Sequence, residues 1–231
     1  MIIILGFDAL EKSFVDKYQF KELMQQNYGN TDITSFNAER TVVLWASFLT
    51  GKNMEKEIPI KGQWQFTLPK EKTFFSSFSN YRAIDVPAFT LKQENHEKER
   101  KLLAGYFKEQ NSIEEFDEVL WKNHFENKKD FFRELKNNHE ILMAYFDLAD
   151  MIGHLSFGIE EKMKKVYEEL NEIAKETRKS VDATILIISD HGMKPIGRFG
   201  DHTSYGFWSF NKDIKLDKPN IIDFFDIVRN E

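Results

Sequence analysis

The sequence has no cysteine. Disulfides and thiolate zinc sites are therefore excluded. It has no basic block either. Its 32 Lys and Arg residues are mixed with 38 Asp and Glu residues, for a net charge of −6, and that balance disfavours a protein that grips a nucleic-acid backbone or duplex. A small charged substrate remains compatible, because a metal overcomes local repulsion. Long apolar runs are missing too. The opening stretch Met1-Ile2-Ile3-Ile4-Leu5-Gly6-Phe7-Asp8 is too short for a signal-peptide core with flanks, and far too short to span a bilayer. It reads as a first buried strand, and the expectation is a cytoplasmic protein that does not engage a membrane. No internal repeat, low-complexity tract or linker interrupts the chain. The 231 residues, 41% of them hydrophobic, are expected to form one domain over 1–231 with a real core.

What is present is an alternation of apolar strands and polar helices. Ile2 to Phe7, Ile141 to Phe146 and Thr184 to Ile188 read as central parallel strands, apolar on both faces. Shorter strands are expected at Ile33 to Phe36, Tyr81 to Val86 and Ser204 to Phe210. Val42 to Leu49 reads as a short helix, with Thr41 at its N-cap and Gly51 at its stop. Further helices are expected near 97–110, 113–122 and 128–138, at Glu160 to Lys179 with one apolar face, and at Ile221 to Val228. This alternation predicts an α/β fold, with a mainly parallel central sheet and helices on both faces. Residues 52–140 are the least regular part and are read either as a partial lid over the site or as helices packed on the sheet.

Ligand-type residues recur just after strands, where open α/β sheets keep their chemistry. Asp8 follows the first strand. Asp147 and Asp150 follow Phe146, with His154 four residues beyond Asp150. Asp190 and His191 follow Ile188, with Gly192 read as allowing a sharp turn. Asp201 and His202 come shortly afterwards. Taken singly these residues are unremarkable: an Asp after a strand is a turn former or cap, and Thr41 is an N-cap. Together, carboxylates and imidazoles suit zinc or manganese, and two clusters of them suit a pair of ions. A hydroxyl at a helix N-terminus favours a bound anion such as phosphate. His96, His124 and His139 lie in polar helical stretches and receive no role.

In order, Gly6-Phe7-Asp8, Thr41 through Leu49-Thr50-Gly51, Asp150-Met151-Ile152-Gly153-His154, Ser189-Asp190-His191-Gly192-Met193 and His202 before Tyr205-Gly206 resemble the alkaline phosphatase superfamily. The nearest branch is the type I phosphodiesterase/nucleotide pyrophosphatase group, with the cofactor-independent phosphoglycerate mutases and phosphonoacetate hydrolases as cousins. The resemblance implies a two-metal phosphoester hydrolase whose nucleophile, Thr41, is transiently phosphorylated. It implies that Asp8, Asp190 and His191 hold one divalent ion, with Thr41 facing it, and that Asp150, His154 and His202 hold the other. The ions are expected to be zinc ahead of manganese. Asp150 takes precedence over Asp147 because the family pattern is Asp-x-x-Gly-His, which leaves Asp147 to orient a ligand or cap a helix.

Three features depart from the family pattern. Val42, Val43 and Leu44 stand where many relatives have a proline. Asn53 is too close to Gly51 to match the phosphoryl-binding asparagine of the pyrophosphatases. The segment from His191 to His202 is too short for a cap. Alternative readings are a phosphonate hydrolase, phosphomutase or phosphomonoesterase on the same site. A sulfatase is disfavoured because position 41 is Thr, and the non-enzyme alternative is a degenerate metal- or anion-binding protein. Lys52, Lys194 and Arg198 are read first as solvated surface charge and second as contacts for an anionic group.

Overall fold

A computed structural model describes residues 1–231. Strand β1 (Ile2–Phe7) is followed by helices α1 (Lys12–Tyr18) and α2 (Lys21–Met24), strand β2 (Asn27–Asp32) and helix α3 (Thr41–Thr50). After an irregular stretch with short 3-10 turns come β3 (Tyr81–Ile84), α4 (Gln93–Tyr106), α5 (Ile113–Glu134) and β4 (Ile141–Phe146). The chain then runs through α6 (Leu148–Ser156), α7 (Glu160–Ser180), β5 (Thr184–Ser189), β6 (Met193–Ile196), β7 (Phe199–His202), β8 (Tyr205–Phe210) and α8 (Phe224–Arg229). The six-stranded sheet has the order β2-β8-β5-β1-β4-β3, while β6 and β7 form a separate hairpin. Strands β5, β1, β4 and β3 are parallel, and β8 is antiparallel to both β5 and β2. The fold is the expected α/β architecture with a mainly parallel sheet. No helix is long and apolar enough to cross a membrane.

β1 shows why the centre of the sheet was readable in the sequence. Ile3, Leu5 and Phe7 face one apolar layer, with α7 and α5 residues such as Leu170 and Phe131. Ile2 and Ile4 face the other, with Trp45 and Phe48 of α3. Both faces are buried, so the strand shows no polar alternation. The parallel register sets Gly6 beside both Tyr145 and Ile188. As a result Asp8, Asp147 and Asp190 all emerge at one carboxyl edge.

Four expectations need correction. The second strand is Asn27–Asp32 and not Ile33 to Phe36. An edge strand paired on one side needs no apolar run, so its polar sequence hid it, and Ile33 and Phe36 are turn residues buried in the core. The helices expected near 113–122 and 128–138 are one helix, α5, opened by a capping box of Ser112 and Glu115. Thr41 is the first helical residue of α3; its cap is Arg40, without a side-chain bond. The terminal helix begins as a 3-10 turn at Ile221–Asp223 before α8.

Position 6 fixes how α3 lies on the sheet. A Cβ there would come within 2.7 Å of the Trp45 ring, so glycine is what lets α3 settle onto β1. Trp45 is fully buried and meets Tyr145 edge-on at 5.4 Å. Gly6→Ala is expected to destabilise the fold by about 1–3 kcal/mol through overpacking. Urea unfolding checks this, and an unchanged midpoint would show that α3 has slack at this contact.

Candidate active site

Asp8 leaves the end of β1 fully buried. Tyr145 donates its hydroxyl to Asp8 Oδ2, while Oδ1 has no hydrogen-bond partner. Asp190 and His191 leave β5, both 0% exposed. Their turn is pinned from several sides. Ser189 Oγ donates to the His191 carbonyl at 2.7 Å and accepts from the Leu10 N–H at 2.9 Å. The Gly192 N–H donates to the Tyr205 carbonyl at 2.7 Å. Gly192 is needed for space and not for a left-handed turn: its φ is not positive, but a Cβ would lie 2.4 Å from Glu11 and 2.7 Å from Thr203.

His191 Nε2 lies 3.3 Å from Asp8 Oδ1 and 3.5 Å from Asp190 Oδ2. Its Nδ1–H donates to the Gly192 carbonyl at 3.2 Å, which leaves the Nε2 lone pair facing the carboxylates. Across from it, Asp150 on α6 receives two imidazoles. His154 Nε2 is 3.3 Å from Oδ2, and His202 Nε2 is 3.2 Å from Oδ1. His202 sits at the end of the β6–β7 hairpin, opposite Met193. Its Nδ1–H donates to the Glu39 carbonyl at 3.3 Å, so its Nε2 is also presented to the carboxylates. That bond brings the segment leading into α3 against the site. Thr41, two residues later, is 8% exposed. Within the chain its hydroxyl makes no hydrogen bond, and the free N–H groups of the α3 N-terminus accompany it.

Asp8, Asp190 and His191 place ligand atoms within 4.8 Å of one another, and so do Asp150, His191 and His202. His154 joins through the other oxygen of Asp150, and its ring centroid is 5.1 Å from that of His202. The six expected ligands thus meet at one edge of the sheet, and Thr41 is tied to it through Glu39, whose carbonyl His202 binds. Asp201, by contrast, points outward and pairs with Lys194 at 3.4 Å. Asn53 Nδ2 donates to the Ser35 carbonyl and its Oδ1 caps a turn at Glu55, both away from the site.

The electrostatics are those of a site built around cations. Asp8 Oδ1, Asp150 Oδ1, both Asp190 oxygens, and Nε2 of His191 and His202 are buried without hydrogen-bond partners. Buried orphan groups of this kind are destabilising unless something charged completes them. Burial, reinforced by Asp150, pushes the Asp8 carboxyl up to about 7. Burial and the neighbouring Asp8 push Asp190 well above its ordinary value. Burial holds His191 down at about 3, so it is neutral and able to bind a metal. Burial opposes the charged form of His202, but the Asp150 carboxylate 3.2 Å away outweighs that and raises it to about 9. A set of carboxylate oxygens and imidazole nitrogens with inward-facing lone pairs fits divalent ions.

Asp147 does not join this set. It occupies the cap position of α6 but makes no cap bond there. Instead Asp147 Oδ2 faces His96 Nδ1 at 3.5 Å, and His96 is buried. The sequence reading gave His96 no role. The signal it passed over is the i,i+3 pair of His96 and Glu99 on an otherwise polar helix, a spacing that puts both side chains on one face.

A family model for type I phosphodiesterase / nucleotide pyrophosphatase matches residues 61–219. Asp150, His154, Asp190, His191 and His202 fall inside the match, and Asp8 and Thr41 precede it. No curated protein matches the sequence. Among solved structures, murine ectonucleotide pyrophosphatase / phosphodiesterase 5, an inactive form in complex with AMP, aligns with 85% of this chain at 11% identity and a TM-score of 0.49. This chain spans only 58% of that protein's length. An alkaline phosphatase from the Antarctic bacterium TAB5 aligns over 99% of this chain and 96% of its own, at 10% identity and a TM-score of 0.53. A 2-O GAG sulfatase aligns over 95% of this chain and 65% of its own, at 11% identity and a TM-score of 0.54. The last two share the fold with this chain.

Metal loading must displace protons from Asp8 and His202. Divalent-ion affinity is therefore expected to rise with pH through the window from about 7 to about 9 set by those two groups. Calorimetric titration of the metal-free chain in buffers of different ionisation enthalpy checks this. Heats independent of the buffer would show that no protons are released.

Proposed function

Because this chain belongs to the type I phosphodiesterase / nucleotide pyrophosphatase family, we propose that it is a two-metal phosphoester hydrolase, acting on a diester or pyrophosphate bond through a phosphorylated Thr41. The observation that carries the reading is the meeting of buried, unpartnered carboxylate and imidazole atoms at the same sheet edge as the N-terminus of α3. Asp8, Asp190 and His191 would hold one ion beside Thr41, and Asp150, His154 and His202 the other. When bound, such ions lower the pKa of a hydroxyl or water and offset charge on phosphoryl oxygens.

The remaining work falls to the chain itself. Thr41 Oγ attacks phosphorus in line with the leaving oxygen. The new P–Oγ bond forms as the bond to the leaving alcohol or phosphate breaks. Water then attacks this Thr41 phosphoryl ester, which still carries the substrate's other substituent, releases that part as a phosphomonoester and restores the hydroxyl, so configuration at phosphorus is retained overall. The backbone N–H of Val42, at the positive end of α3, is a donor for a non-bridging oxygen. Burial of α3 on Gly6 holds the nucleophile still during attack. The substrate is a small phosphoester and not a nucleic-acid duplex, since no basic stripe accompanies the site.

Thr41→Ala is expected to keep the fold and its metals and to lose at least about a thousandfold in turnover of an aryl phosphodiester. Thr41→Ser is expected to retain measurable turnover, and enzyme quenched during diester turnover should carry the phosphoryl group, with the substrate's remaining ester substituent, on residue 41. Near wild-type rates in Thr41→Ala would remove Thr41 from its role. A panel of mono-, di-, pyro-, phosphono- and sulfate esters decides between this reading and a monoesterase, phosphonate hydrolase or mutase. Bound metal with no turnover on any ester would leave a binding protein.

A further inference from the structure

A second polar cluster lies beside Tyr145, whose ring centroid is 6.1 Å from that of His96, and nothing in the proposed reaction uses it. Four residues from three elements build it: Asp85 just beyond β3, His96 and Glu99 on α4, and Asp147 just beyond β4. His96 Nδ1 stands 3.5 Å from Asp147 Oδ2 and 3.8 Å from Glu99 Oε2. The three ligand atoms all lie within 4.8 Å of one another. Glu99 is 2% exposed, and its Oε2 has no hydrogen-bond partner. Asp147 Oδ2 has none either.

The outward-facing atoms, in contrast, are satisfied. Asn123 Nδ2 donates to Glu99 Oε1 at 2.6 Å. Asp85 accepts from the Lys92 N–H at 2.6 Å and from Asn127 Nδ2 at 3.2 Å. His96 turns its other nitrogen, Nε2, towards Asp85 Oδ1 at 3.6 Å, the arrangement of carboxylate behind imidazole that commonly orients a metal-binding histidine. Asn123 thus orients Glu99, Asn127 holds the Asp85 that backs His96, and Glu99, Asp147 and His96 converge on one point. Separations of 3.5 and 3.8 Å are long for an imidazole hydrogen bond but close to the spacing of about 3.4 Å between ligands of an ion with bonds of about 2.1 Å.

No lysine or arginine side chain fills the gap. Lys92 Nζ pairs with Asp130 at 3.0 Å, outside the cluster. Arg100 lies over the Trp64 ring at 4.1 Å and forms no ion pair with Glu99 or Asp147. The adjoining cavity is about 10 Å³, bordered by Asp85, Glu99, Asn123 and Asp147. That holds a water-sized sphere at most, which excludes an organic ligand.

We propose that His96, Glu99 and Asp147 form a third divalent-cation site, supported by Asp85, that fastens α4 to the junction of β4 and α6. Two carboxylates and one imidazole suit a zinc- or manganese-type ion. Asp147 lies three residues before Asp150 on the same strand-to-helix junction, so the ion steadies the start of the helix that carries Asp150 and His154. This site is independent of the catalytic reading.

The test is metal counting on the full chain, stripped with chelator, loaded with zinc or separately with manganese, and desalted. The wild type is expected to hold one more ion than either His96→Ala or Glu99→Gln, while Asp190→Asn loses ions from the other group instead. Adding metal is expected to protect α4 from hydrogen exchange in the wild type and not in His96→Ala. A wild type that holds only the two ions of the Asp8 and Asp150 groups overturns the third site and leaves the hydrolase reading intact. So does an unchanged count in both variants. A wild type holding a single ion, lost in His96→Ala, supports this site and removes the catalytic pair instead. If His96→Ala fails to fold, Glu99→Gln carries the comparison with the wild-type count.

Discussion

The structure depends on an electrostatic deficit. Asp8, Asp150 and Asp190 are packed at the end of a parallel sheet with His191 and His202, and several of their atoms have no partner inside the chain. Burial and mutual repulsion raise Asp8 and Asp190, while two imidazoles hold Asp150 well below its ordinary value. A fold does not keep such groups out of water for stability alone. Divalent ions are the simplest species that answer every orphan atom at once, and the donor types fit them.

The rest of the architecture serves that edge. Strands β1, β4 and β5 are anchored by apolar packing on both faces, so the residues after them have little freedom. Trp45 seated on Gly6 fixes α3, and the His202 bond to Glu39 ties the β6–β7 hairpin to the segment before Thr41. Ser189 and Thr203 lock the turn that carries Asp190 and His191. The result is a set of reactive groups held by rigid elements, which is what an in-line phosphoryl transfer requires of a protein.

How much of this was legible in the sequence follows from the physics of each element. β1, β4 and β5 are apolar without alternation because both faces are buried, and the ligand residues at their ends could be picked out directly. The apolar run ending in Gly51 marked α3 and put Thr41 at its start, but a role for Thr41 came only from the family resemblance. β2 escaped because Asn27–Asp32 is a polar edge strand. The β6–β7 hairpin escaped because Lys194, Pro195 and Ile196 are exposed and carry no periodic signal. His96 and Glu99 escaped for the opposite reason: their helix reads as polar throughout, and only the packing of α4 against α5 and α6 buries them.

The account stands or falls on whether cations occupy the carboxyl edge. The most direct measurement is a crystal structure of the zinc-soaked protein with anomalous diffraction recorded at the zinc edge. The account predicts one anomalous peak among Asp8, Asp190 and His191 and another among Asp150, His154 and His202, with the Thr41 oxygen facing the first. Anomalous maps empty at both positions, with the carboxylates and imidazoles still paired only with each other, would contradict it.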